Sequence, residues 1–184
     1  MKVKNLNASS INTRNKIKDE FVHLLYEKHE LNNITVTELV KRVGITRSAF
    51  YTHYDSIYDV AKEFQDDTCD FLFNDNIIIN SVDDVYNYID MLTSHIKENE
   101  ETYKMLLSSN DQMYFFDKIR KLFVKKACTS LNEITSDDYL ELKMNFFIDG
   151  VVSQLIKYFR NDFYSLDVLN KNTKEWFNCL FKKR

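Results

Sequence analysis

The chain has 184 residues, of which 44% are hydrophobic, so it can bury the core of one large domain or of a small domain joined to a larger one. It contains no proline and only two glycines. Hairpin-rich β architectures are disfavoured because those two residues build most tight turns, and the predicted fold class is all-α.

Cysteine spacing and hydropathy predict a soluble, cytoplasmic protein. Cys69, Cys128 and Cys179 are far apart and form no CxxC pair, which fits reduced thiols. The N-terminus lacks the apolar stretch of a signal peptide, and no apolar run approaches the ~18–20 residues of a membrane span. His23, His29 and His95 have no partner at metal-ligand spacing, so we expect no metal and no cofactor. From the hydropathy we also expect no membrane partner.

The net charge of −3 hides an uneven distribution along the chain. Residues 1–54 carry nine lysines and arginines against five acids, a balance of +4, whereas residues 55–184 carry 16 against 23, a balance of −7. Cations at a DNA-facing surface displace counterions from phosphate, so the basic first third is the predicted side for nucleic acid.

Three helices are predicted in the first third, after a loose arm at residues 1–11. Apolar residues at helical spacing mark the first helix, from about residue 13 to residue 29. Thr35 begins the second helix, since it stands three residues before Glu38, the spacing of a capping box. The second helix ends at Gly44 in a left-handed conformation, and a threonine, Thr46, caps the third.

Six further helices are predicted in the rest of the chain, which gives about nine in all and no strand. Ser81 and Asp84 form another predicted capping box, at the start of the fifth helix. These helices lie at about 56–73, 82–96, 100–108, 116–127, 139–159 and 166–181.

The segment ITVTELVKRVGITRSAFYTHY, residues 34–54, encodes two short helices joined by a glycine-centred turn. Leu39, Val43, Ile45 and Phe50 fall where a helix-turn-helix buries its inner face. That arrangement leaves the start of the third helix exposed, where it can enter a major groove.

Side chains on the exposed side of this motif suit DNA. Arg47 can reach guanine or phosphate, Ser48 and Thr52 are short donors and acceptors, and Tyr51 and His53 can hydrogen-bond backbone oxygens. The free N–H groups and dipole of the second helix's N-terminus favour phosphate. The predicted DNA-binding residues are Thr35, Thr37, Thr46, Arg47, Ser48, Tyr51, Thr52 and His53.

The same segment resembles the TetR-type transcription regulators, whose pattern is T-V-x-E-L-x-x-x-x-G-I-T-x-x-x-F-Y-x-H-Y. The resemblance covers about residues 13–62. Matching positions are Thr35, Val36, Glu38, Leu39, Gly44, Ile45, Thr46, Phe50, Tyr51, His53 and Tyr54. Two positions depart from the family: Val40 stands where a small residue is usual, and Ile57 stands where a lysine usually contacts phosphate.

The resemblance implies two domains. Residues 1–56 would form a three-helix helix-turn-helix DNA-binding domain, and residues 57–184 a helical effector-binding and dimerisation domain. The expected protein is a homodimer that binds a palindromic double-stranded DNA operator and represses transcription until a small molecule releases it. An activator of the same fold, or a helical adaptor that has lost DNA binding, are the alternatives.

The resemblance also places two candidate sites in the C-terminal part. Aromatic, methionine and histidine side chains of helices four to eight would enclose the effector, although such a stripe can also be ordinary core. They are Phe71, Met91, His95, Tyr103, Met105, Met113, Phe116 and Phe147.

NFFIDGVVSQLIKYF resembles the penultimate helix of a dihydroxyacetone-kinase regulator-like subgroup, in which helices eight and nine would form the dimer interface; a fully buried core helix is the alternative. The predicted dimerisation residues are Phe146, Gly150, Val151, Leu155, Tyr158, Trp176 and Leu180. Gly150 inside a helix suggests a close helix approach. We expect no enzyme, since the sequence has no glycine-rich phosphate loop, nucleophile elbow or HExxH motif.

Overall fold

The computed structural model describes residues 8–73, 79, 81–107, 109–132, 138–161 and 164–181. Over this part of the chain there are nine α-helices and no strand, which confirms the predicted all-α class. The helices are α1 (Ala8–Lys28), α2 (Val36–Val43), α3 (Arg47–His53), α4 (Ile57–Leu72), α5 (Val82–Glu98), α6 (Glu100–Leu107), α7 (Gln112–Asn132), α8 (Leu140–Asn161) and α9 (Leu166–Phe181), with a 3-10 helix at Leu31–Asn33.

The start of α1 corrects one prediction. The prediction of a loose arm at residues 1–11 is wrong for residues 8–11, which form the first turn of α1. Residues 1–7 lie outside the described part of the chain. This turn carries no apolar stripe that a periodicity could reveal. It extends a helix whose middle is held by the fully buried Ile17 and Phe21, because adding a turn to an existing helix costs far less than nucleating one.

Local capping defines α2 and α3 as the sequence predicted. The Thr35 hydroxyl accepts a hydrogen bond from the Glu38 backbone N–H at 3.2 Å, and the Thr46 hydroxyl accepts one from the Ala49 backbone N–H at 3.1 Å. Between the two helices Gly44 is left-handed, with φ 75° and ψ 33°, and its N–H donates to the Val40 carbonyl at 3.0 Å. These contacts set the turn of the motif.

We predict that Gly44→Ala destabilises the protein by about 1 kcal/mol, because a side chain with a β-carbon is strained at positive φ. A β-carbon at Gly44 would meet no atom within 4 Å, so the loss would report backbone strain alone. Gly44→Asn should lose less, since asparagine tolerates this conformation. Urea unfolding measures the difference, and equal stability of Gly44→Ala and the natural protein would contradict it.

Two hydrophobic clusters organise the helices. The first joins α1, α2, α3 and the first half of α4 with Met105 and Leu106 of α6 and Phe115 of α7. The second joins α5, α7, α8 and α9 around Met144 and Phe177. Full burial of Phe50 between α1, α2 and α4 is worth roughly 1.5–3 kcal/mol and locks the crossing of the two short helices. The division into domains at residue 56 stays a prediction.

None of the described helices combines the length and the apolar character that crossing a membrane requires.

Candidate nucleic-acid interface

The exposed side of α3 gathers the residues predicted to contact DNA. Seven of the eight predicted residues are exposed, and His53 is partly buried. Tyr51 is 46% exposed beside the fully buried Phe50, so α3 has one face in the core and one in solvent. The Arg47 guanidinium donates a hydrogen bond to the Thr37 hydroxyl, which shows that the starts of α2 and α3 lie side by side. Two helix N-termini and one guanidinium thus share a surface.

Ion pairs neutralise much of the positive charge that the sequence places in this region. Arg14 pairs with Glu63, Lys18 with Asp67, Lys28 with Glu38 and Arg42 with Glu27. The partner's hydrogen bond is the main cause that lowers the pKa of both Glu27 and Glu38. Among the described residues, the basic side chains without such an ion pair in α1 to α3 are Lys16, Lys41 and Arg47.

Tyr54, the last residue of the family pattern, contributes to the packing of the fold and not to the exposed surface of α3. It is buried, and the Arg14 guanidinium carbon lies 4.8 Å from the centroid of its ring. Arg14 Nε donates to Glu63 Oε1 at 2.9 Å, so the end of α3 is joined to α1 and α4 through one arginine. Burial raises the pKa of Tyr54 to about 12. Sequence reasoning missed this network, whose members are up to 49 positions apart.

His53 sits at the edge of the surface, at the C-terminal end of α3. Burial and the nearby Arg14 charge lower the pKa of its imidazole below the ordinary value of 6.5. At neutral pH the imidazole of the free protein is therefore uncharged. One of its ring nitrogens can donate a hydrogen bond and the other can accept one.

The two departures from the family pattern both point into the first cluster. Val40 and Ile57 are each 6% exposed. Ile57 therefore packs in the core at the start of α4, where it cannot contact phosphate. Lys62, five residues further along α4, is exposed.

A cavity of about 330 Å³ lies between α4, α5, α6 and α7, and it brings together four of the predicted effector residues: Phe71, His95, Tyr103 and Phe116. The His95 ring stacks on Phe71 with centroids 4.0 Å apart, and Tyr103 meets His95 edge-on at 5.8 Å. Burial lowers the pKa of His95 and raises the pKa of Tyr103 to about 12, so both rings are uncharged at neutral pH.

The other predicted effector residues lie elsewhere. Met91 and Phe147 pack in the second cluster, Met105 packs in the first, and Met113 is 57% exposed at the start of α7. Sequence reasoning did not identify the polar part of the wall, which includes Gln65, Thr68, Asn99 and Thr102. No sequence signal distinguishes such residues from ordinary polar positions on a helix.

Helices α8 and α9 present an apolar face to solvent. Phe146 is 70% exposed and Trp176 is 48% exposed, and Leu180 is exposed near them on α9. Gly150 lies directly beneath Trp176, since a β-carbon there would come within 3.2 Å of the indole ring. The expected close helix approach at this glycine is therefore an indole packed on the α8 backbone.

The remaining predicted dimerisation residues are more enclosed. Val151, Leu155 and Tyr158 are partly buried, and the Tyr158 hydroxyl donates to Glu100 Oε1 at 2.6 Å. Two exposed residues that the sequence did not single out extend the apolar face: Leu142 on α8 and Tyr139 just before it. Within the described ranges, no group of three or more metal-ligating side chains could hold an ion.

No protein-family model matches the sequence, and no curated protein sequence matches it either. Solved structures with the same fold include two transcriptional regulators. A TetR transcriptional regulator from Streptococcus agalactiae 2603V matches with a TM-score of 0.68 and 22% identity, over 90% of this chain and 93% of that chain. A TetR-family transcriptional regulator from Streptomyces coelicolor matches with a TM-score of 0.65 and 15% identity, over 91% and 81%.

The chain therefore has the TetR-type regulator fold along most of its length. At identities this low the comparisons establish the fold alone. The resemblance to the dihydroxyacetone-kinase regulator-like subgroup stays a prediction.

Proposed function

We propose that this protein is a homodimeric, sequence-specific DNA-binding transcription regulator that a small-molecule effector releases from its operator. The observation that carries the proposal is the solvent-facing side of α3 beside the start of α2, where Arg47, Tyr51 and capped helix N-termini share one surface. A short helix exposed in this way fits a B-DNA major groove. Two copies related by a two-fold axis would read half-sites about 34–36 Å apart.

The α8–α9 face supports the dimer. Exposed aromatic residues concentrated on two adjacent helices favour association, because monomeric proteins rarely expose large contiguous apolar patches. A second copy that covers Phe146 and Trp176 would bring two reading helices together in one symmetric assembly.

The cavity supports an effector that is uncharged or weakly polar and carries an aromatic or aliphatic body. More than half of its described lining residues are aromatic or aliphatic, and none of them is a lysine or arginine. Of its two acidic residues, Asp67 is paired with Lys18 and Asp19 is exposed to solvent. An anion bound there would lose its hydration without gaining a cationic partner. Tyr103, Asn99 and Gln65 supply hydrogen-bonding groups that can orient such a molecule.

Protonation of His53 tests one contact of the proposed interface. If His53 faces phosphate in the complex, the anion stabilises its protonated form and raises its pKa above that of the free protein. We therefore predict that DNA affinity increases about three- to tenfold as the pH falls from about 7.5 to about 6. His53→Gln should flatten this profile, whereas His23→Gln should keep it. A pH profile unaltered by His53→Gln would remove His53 from the interface.

The adaptor is the second candidate function, and the ion pairs of α1 to α3 favour it. With Arg14, Lys18, Lys28 and Arg42 already paired to acids, fewer cations remain for phosphate. An adaptor of this fold would show no salt-sensitive affinity for any DNA.

Titration of purified protein against DNA from immediately upstream of its own gene and of neighbouring genes, at two salt concentrations and with scrambled competitor, tests the proposal. Specific binding that weakens as salt rises would support the regulator. No binding at either salt would favour the adaptor unless added effector restored binding, and equal affinity for the scrambled DNA would refute sequence-specific recognition.

A further inference from the structure

Asn110 and Asp111, just before α7, hydrogen-bond to the segment that links α1 to α2; we call this pair the latch. The Asn110 backbone N–H donates to the His29 carbonyl at 2.7 Å, and its side-chain amide donates to Glu30 Oε1 at 3.0 Å. The Asp111 carboxylate accepts a hydrogen bond from the Leu31 backbone N–H. Three consecutive residues are thereby tied to a position about 80 residues later in the chain.

The segment that the latch holds leads directly into the reading helices. His29 ends α1 in a left-handed conformation, with φ 63°, and the 3-10 helix follows it. Leu31 and Ile34 are buried in the first cluster, and the next residue, Thr35, caps α2. A shift of the backbone at residues 29–31 therefore moves the start of α2.

On its other side the latch is flanked by the wall of the cavity. Leu106 and Leu107 of α6, and Phe115 and Phe116 of α7, line the cavity immediately before and after it. Ser109 is fully buried, and its hydroxyl donates to the Leu106 carbonyl at 2.8 Å, which holds the chain close to the end of α6.

Helix α4 reaches the same place. The Gln65 side-chain amide, itself part of the cavity wall, donates to the Tyr114 carbonyl in the first turn of α7 at 2.6 Å. Elements that line the cavity therefore surround the latch, and a displacement of α6 relative to α7 would reach it within one turn of helix.

We propose that Asn110 and Asp111 are positioning residues that transmit a change in the cavity to α2. The biological use of this coupling rests on the proposed function, but the coupling itself requires no DNA. A group that fills the cavity and presses on its wall pushes α6 and α7 apart, because the side chains behind that wall are closely packed. The latch carries that displacement to the backbone of residues 29–31.

A second route runs through α4, where Glu63 and Asp67 pair with Arg14 and Lys18 of α1. Those contacts join the ends of long side chains, which can adjust their rotamers as α4 moves. Two of the three latch contacts end on backbone groups of the receiving segment, and the Asn110–His29 contact joins backbone to backbone. The latch is therefore a direct hydrogen-bonded connection to the segment before α2, in addition to the packing of α4 in the first cluster.

The test fills the cavity by mutation, so that no effector has to be known. Ile119→Trp adds a ring to the cavity from α7, and Thr102→Phe adds one from α6. Hydrogen exchange of α2 amides is measured in the natural background, in Asp111→Ala and in Asp111→Asn, with α9 amides as internal reference. The asparagine side chain of Asp111→Asn retains an oxygen that can accept from the Leu31 N–H, whereas alanine does not.

We expect each cavity-filling substitution to change α2 exchange at least about threefold in the natural background and in Asp111→Asn, and by a clearly smaller factor, below about twofold, in Asp111→Ala, where the Asn110 contacts remain. An equal response in Asp111→Ala would overturn the proposal and place the coupling in α4. No response of α2 in the natural background, with either substitution, would overturn it too. DNA titration is recorded separately, so a protein that binds no operator but shows the coupling would refute the proposed function and leave the latch in place.

Discussion

Arg47→Ala combined with Tyr51→Ala should lower specific DNA affinity roughly 30- to 1,000-fold while the fold and the dimer remain intact. Both side chains are exposed on α3, and the Tyr51 ring meets the buried Phe50 only edge-on, with ring centroids 5.5 Å apart. Arg47 is one of the few basic side chains of this region without an acidic partner among the described residues. Its removal leaves a guanine or phosphate acceptor unpaired in the complex.

The matched control is Arg160→Ala, which removes one positive charge at the end of α8, far along the chain from α3. Fluorescence anisotropy with operator and scrambled DNA measures both variants, and circular dichroism confirms the helices. The single variants should separate two roles: Arg47→Ala relaxes sequence preference, whereas Tyr51→Ala weakens binding to all sequences alike. Specific affinity that survives in the double variant would place the reading surface elsewhere.

Phe146→Glu should raise the dissociation constant of the dimer at least about 100-fold. A side chain that is 70% exposed in the monomer and central to the apolar face would be buried by a second copy. The two-fold axis would introduce the substitution twice, and each carboxylate would lose its hydration without a cationic partner.

Met113→Glu is the control for this substitution, because Met113 is 57% exposed but lies on α7, outside the α8–α9 face. Analytical ultracentrifugation at micromolar concentration should find Phe146→Glu monomeric and Met113→Glu dimeric. DNA binding should fall with the dimer, since a single reading helix covers only one half-site. If the natural protein is monomeric under these conditions, the proposed homodimer is refuted.

The helix-turn-helix could be predicted from sequence because its signals are local. Thr35 with Glu38, Gly44 and Thr46 each act within four residues of their partners, and the structure has the hydrogen bonds that they predict. The start of α1 was not predicted, because its cause is not local. Its first turn is helical as a result of packing further along the helix, and residues 8–11 themselves carry no signal of that packing.

The residues that line the cavity could be predicted only in part. Sequence indicated that aromatic residues of α4 to α8 could enclose a ligand, but the rotation of each helix about its axis decides which of them face the space. Phe71 and Tyr103 line it, whereas Met91 and Phe147 pack in the second cluster. The latch could not be predicted from the sequence either, because hydrogen bonds between residues about 80 positions apart produce no periodicity and no motif.

The ion pairs that link α1 to α2 and α4 also bear on how a DNA-binding protein of this kind would search a genome. Affinity for random DNA comes almost entirely from cations that displace counterions from phosphate. With Arg14, Lys18, Lys28 and Arg42 engaged by carboxylates, a dimer would dissociate quickly from noncognate sites and slide only short distances. It would find its operator mainly by repeated three-dimensional encounters, and less of it would be held on the rest of the chromosome.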